Sequence, residues 1–144
     1  MTEHAAEHVW RTLRSAVLER YDRRREVCEA LDMSFIRAKM LMRLAHGPLT
    51  LRELATALAT DAPYTTVMVD DLEQRGMVLR SAHPQDRRAK LVTITADGRR
   101  AALVADRIVA EPPAALRQLD AADLAALDRI ATKMLEDLPG TDQL

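Results

Sequence analysis

The sequence predicts a mostly α-helical fold with a small β-hairpin wing, built on a helix-turn-helix core between flanking helices. Three observations predict it. Apolar residues recur every three or four positions over most of the chain, the spacing of half-buried helices. Two helical segments, "LTLRELATALA" and "YTTVMVDDLEQRG", follow one another across a tight turn. After Gly76 the pattern shortens to "MVLRSA" and "KLVTIT", β-rich runs on either side of "HPQDRRA".

Each element has its own local reason. Val9, Trp10, Leu13, Val17 and Tyr21 mark an amphipathic helix from about residue 5 to 30. Ser34 is a good N-cap for a second helix with Ile36, Met40, Leu41 and Leu44 inward. His46-Gly47-Pro48 stops it, since glycine takes the left-handed cap and proline cannot continue a helix. Thr50 and Glu53 have capping-box spacing, and Leu49 can staple onto Leu54. Thr60, Asp61 and Pro63 supply a turn, a cap and an early-helix proline. Val69 and Leu72, with Met68, face the core from the next helix, which ends at Gly76. A helix-turn-helix followed by a hairpin is a winged helix.

Beyond the hairpin, Thr95 caps a helix whose first turn carries Asp97, favourable at the positive end of the helix dipole. Leu103, Val104 and Ile108 give it an apolar face until Pro112-Pro113. Asp120 caps the last helix, with Leu119 and Leu124 as a staple. Its stripe of Leu124, Leu127, Ile130, Met134 and Leu138 is nearly heptad-spaced. Apolar stripes on terminal helices, left over by a compact core, are most simply covered by a second copy of the chain. The expected organisation is one domain over 1–144, with a core at 34–96 and dimerisation helices at 5–30 and 96–138.

Composition narrows the function. The chain has 144 residues, 48% hydrophobic and 30% charged, as expected of a globular domain. No apolar run approaches the roughly 20 residues of a membrane span, and the N-terminus lacks the cation-then-apolar pattern of a secretory signal. The single cysteine, Cys28, excludes an internal disulfide framework and suits a reducing cytoplasm. No phosphate loop, nucleophile elbow or catalytic histidine signature argues for an enzyme, and no cofactor is implied. Net charge is only -1, yet residues 37–90 hold nine Arg and Lys against six Asp and Glu. Both flanks are mildly acidic. That asymmetry points to a polyanion at the centre of the chain.

The segment "LTLRELATALATDAPYTTVMVDDLEQRGMVLRSAHPQDRRAKLVTITADGR" resembles the MarR-type winged-helix transcription regulators. The resemblance rests on "LRELA", "VDDLEQRGMV", "DRRAKLVTIT" and "TADG" and covers about a third of the chain. It implies a triangular homodimer whose winged helices read a pseudo-palindromic operator in double-stranded DNA. It also implies a repressor relieved by a small phenolic or anionic effector bound between the dimer base and the reading head. Trp10, Tyr21 and Phe35 are candidates for that pocket.

The wing tip is expected in the minor groove, whose negative potential attracts Arg87 and Arg88, with Lys90 behind them. Asp86 matches the family's Asp-x-Arg pair and is expected to fix the direction of Arg88 through a hydrogen bond. The second helix of the motif should lie in the major groove, with Tyr64, Thr65, Thr66 and Val67 toward the bases. One departure stands out: a basic residue is common at mid-helix in the family, but here Val67 is followed by Asp70, Asp71 and Glu73. Phosphate contacts are therefore assigned to Arg52, Arg75, Arg80 and the wing. Two other readings remain. Cys28, near Arg23, Arg24 and Arg25, would suit a thiol-based redox-sensing repressor, and the acidic helix would suit a winged helix that binds protein rather than DNA. His4 and His8 are too few for a metal site, so none is assigned.

Overall fold

The structure, a computed structural model, describes residues 1–136. These fall into two bodies, 1–111 and 112–136, each described by itself.

The first body opens with α1 (Thr2–Ser15), which runs into a π-helical turn at Ala16–Arg20 and stops. The single long helix expected to residue 30 is in fact two. Asp22 is the reason: its carboxylate accepts the Arg24 backbone N–H at 2.9 Å and clamps the Arg24 guanidinium at 2.8–3.0 Å. Such a side chain competes with the helix for its own backbone. A new helix, α2 (Arg24–Leu31), starts there and ends at Asp32 in the left-handed region, φ 50. The stripe on α1 and the π-turn stays outside, with Val9, Trp10 and Val17 more than half exposed.

α3 (Phe35–Leu44) buries Ala38, Met40, Leu41 and Leu44. Ser34 stands at its N-cap in extended conformation, but its hydroxyl accepts from Arg37 rather than from a backbone N–H. Leu49–Thr50 then form β1, a two-residue strand with no separate signal in the sequence. α4 (Leu51–Leu58) follows with the expected cap, Thr50 accepting from the Glu53 N–H at 3.1 Å. α5 (Ala62–Gln74) is capped by Asp61, which accepts from the Tyr64 N–H at 2.7 Å. It sends Met68, Val69 and Leu72 into the core.

β2 (Val78–Ala82) and β3 (Lys90–Ile94) form the hairpin, and β1 adds to the far edge of β3, giving the antiparallel order β1-β3-β2. Val78 pairs with Ile94 and Arg80 with Val92. Strand alternation turns Val78, Val92 and Ile94 inward and Leu79 outward.

α6 (Ala96–Ala110) is capped by Thr95, whose hydroxyl accepts from the Gly98 N–H and donates to the Gly76 carbonyl at 2.7 Å. Its packed face corrects the expected one. Gly98, Ala101, Ala102 and Ala105 are buried, whereas Leu103 and Val104 are exposed and Ile108 is half-buried. Small residues at this spacing let α6 approach α2 and α3 closely, so bulk is displaced to the other side.

The second body holds a short helix, α7 (Ala114–Arg117), and α8 (Ala121–Glu136). Asp120 accepts from the Asp123 N–H at 2.8 Å, the cap its sequence predicts. Leu124, Leu127, Ile130 and Met134 form an exposed apolar stripe, and Leu119 is exposed as well. Leu138, expected on the same stripe, lies outside the described residues.

Candidate nucleic-acid interface

The turn between α4 and α5 is tight because Ala59 adopts the left-handed conformation, φ 52, and Asp61 caps at once. That turn sets the first turns of α5 at the surface. Tyr64 and Val67 are exposed there, at 42% and 55%. Thr65 corrects the expectation that it faces the bases. It is 1% exposed, its hydroxyl 2.7 Å from both the Asp61 carbonyl and the Thr60 hydroxyl. Thr66 is half-buried and donates to the Ala62 carbonyl at 3.0 Å, which leaves its oxygen only as an acceptor.

The acidic half of α5 is neutralised within the protein. Arg80, on β2, reaches Asp70 at 2.6 Å and Glu73 at 3.1 Å, while Glu73 also accepts the Arg80 backbone N–H. Asp71 pairs with Arg37 of α3 at 2.9 Å and with Arg75 at 3.2 Å. Arg75 donates in turn to the Asp32 carbonyl at 2.7 Å. Arg75 and Arg80, expected on phosphates, are therefore committed to bracing α5. Sequence reasoning missed Arg37, although three carboxylates on a helix assigned to DNA were a signal that cations elsewhere must answer them.

Hydrogen bonds from the Arg80 guanidinium and backbone hold the Glu73 carboxyl below the usual glutamate range. A carboxyl so lowered stabilises the fold above the ordinary glutamate range, and the contribution disappears as pH falls through the depressed value. Glu73→Gln is therefore expected to lower the urea midpoint at neutral pH and to match wild type in acid. A gap that stays constant with pH would remove this pair from the acid response.

The wing tip is organised by its backbone. His83 N–H donates to the Ala89 carbonyl at 3.0 Å, and Ala89 N–H to the Asp86 carbonyl at 3.1 Å. The Asp86 carboxylate accepts from the Arg88 backbone N–H at 3.0 Å. This revises the expected role, because Asp86 fixes the turn and not the guanidinium. Asp86, Arg87, Arg88 and Lys90 are all exposed. An open concavity of about 410 Å³ lies between tip and α4, lined by Thr50, Leu51, Arg52, Asp86, Arg88, Ala89 and Lys90. Pairing of β1 with β3 brings Arg52, at the start of α4, to this place. Among the described residues, Arg52, Arg87, Arg88 and Lys90 have no ion-pair partner.

The aromatic candidates do not share one environment. Phe35 packs on the core, while Trp10 and Tyr21 are exposed. Cys28 is a half-buried free thiol. No helix among the described residues is long and apolar enough to cross a membrane.

Residues 39–90, from α3 to the start of β3, match the MarR family model. The chain is 37% identical over 71 residues to YfiV of Bacillus subtilis (strain 168), an uncharacterized HTH-type transcriptional regulator. That match spans 49% of this chain and 44% of the relative, less than half of either. Among solved structures, apo MarR from E. coli is 27% identical, covers 78% of this chain and 88% of its own, and superposes with a TM-score of 0.67. A cysteine-to-serine variant of the same protein, complexed with operator DNA, is 27% identical over 78% of this chain and 85% of its own, with a TM-score of 0.59. The helix order, the three-stranded sheet and the matching central segment agree: residues 39–90 carry a MarR-family segment, and the chain shares the winged-helix fold of the MarR structures.

Proposed function

We propose that the chain is a sequence-specific DNA-binding transcriptional regulator that acts as a homodimer on a pseudo-palindromic operator. One observation carries the reading. Arg37, Arg75 and Arg80 brace α5, whereas Arg52, Arg87, Arg88 and Lys90, on one surface around the wing, have no ion-pair partner among the described residues. Cations held apart from carboxylates on an exposed tip suit a phosphate-lined groove. The MarR variant solved with operator DNA supports the same partner. The exposed apolar stripes of α1 and α8 are the surfaces a second copy would cover. In this reading the chain is one functional domain, with 34–96 as its DNA-reading part. It represses until a small phenolic or anionic molecule binds. A protein-binding winged helix loses its main support, since the acidic face of α5 is answered internally.

The test is to titrate a duplex carrying the upstream region of the protein's own gene at several salt concentrations. Affinity is expected to fall steeply with salt, by a slope of about -0.9 per phosphate neutralised, and to drop for a scrambled duplex. Affinity that ignores both salt and sequence would refute the proposal.

A further inference from the structure

We propose that α5 selects its operator through thymine methyl groups, read by Val67 with Tyr64 beside it, and not through an arginine or lysine fork on guanine. The inference rests on the DNA-regulator reading above and deepens it. In the major groove, guanine is recognised by the donor forks of arginine or lysine, adenine by asparagine or glutamine, and thymine by apolar contact with its methyl. α5, from Ala62 to Gln74, contains no arginine, lysine or asparagine, and its one glutamine is the last residue, away from the turns that meet bases.

Apart from the Tyr64 hydroxyl, the polar side chains on the outward turns of the helix are already engaged. Thr65 is buried, and Thr66 donates to the Ala62 carbonyl. Asp70, one turn beyond Val67, is held by Arg80 at 2.6 Å. Arg75, just past the helix, is tied to Asp71 and to the Asp32 carbonyl. What remains outward on the first turns, besides Ala62 and Pro63, is Tyr64 and the Val67 isopropyl group, three residues apart on one face. Thymine is the only base that offers an apolar group there.

The experiment uses the full chain and duplexes that it retains from a randomised-core library. Retained sequences are expected to fix thymine within each half-site. Replacing such a thymine by deoxyuridine removes only a methyl in the major groove and leaves the minor groove met by the wing unchanged. Binding should weaken about fourfold for one substitution and about fifteenfold for one in each half-site, the effect of one buried methyl counted once and twice. Val67→Ala should reduce the difference between thymine and uracil while keeping the salt slope. Steep, salt-dependent binding with no such difference, or discrimination undiminished by Val67→Ala, would overturn this inference alone. Failure to retain any duplex would overturn the regulator reading, and this inference with it.

Discussion

Replacing Gly98 by alanine is expected to cost about 3 kcal/mol or more, enough to lower the thermal midpoint by about 10 °C or to prevent folding. Gly98 lies in the first turn of α6 with its Cα against the strand-to-helix joint. A β-carbon built there falls onto the Met77 carbonyl oxygen and within 2.8 Å of Ile94 Cγ1. The carbonyl cannot easily retreat, because it accepts the Thr95 N–H at 3.0 Å while the Thr95 hydroxyl grips the Gly76 carbonyl. Backbone is thus hemmed in by backbone on both sides of the contact. Circular dichroism melts of the variant check the expectation. An unchanged transition would mean that this joint can shift at no cost.

Arg88→Ala is expected to weaken duplex binding by about 1–3 kcal/mol, roughly five- to 150-fold, with the melt unaltered. The side chain is exposed and, among the described residues, without an ion-pair partner, so its loss leaves no buried charge behind. Arg80→Ala is the informative contrast. That guanidinium holds Asp70 and Glu73, and its removal should register in stability while the salt slope of binding stays near wild type. Fluorescence anisotropy on the same duplex separates the two. Equal losses of affinity for both variants, with both melts intact, would place Arg80 on the DNA after all.

Most of the fold was legible because its punctuation is local. Thr50, Asp61, Thr95 and Asp120 each satisfy a backbone N–H three residues ahead, a reach that sequence spacing reveals directly. The same holds for the hairpin, where two short β-rich runs predict both strands. What was illegible depends on partners far along the chain. Arg37 meets Asp71 across 34 residues and Arg75 meets Asp32 across 43, so charge alone could not separate bracing arginines from free ones. The face of α6 was misread for a related reason. Periodicity finds large apolar side chains, whereas close helix packing is decided by small ones such as Ala101 and Ala105. The break at Asp22 hinges on one carboxylate choosing a nearby N–H, an outcome that a stripe of apolar residues conceals.

The separation of braced from unbraced arginines also bears on how an encounter would begin. With a net charge of -1 the chain exerts almost no overall pull on a polyanion at long range. An uneven field still produces a torque. A molecule with a cluster of unanswered positive charge at the hairpin is turned before it is drawn in, so collisions that arrive hairpin-first gain in frequency through orientation.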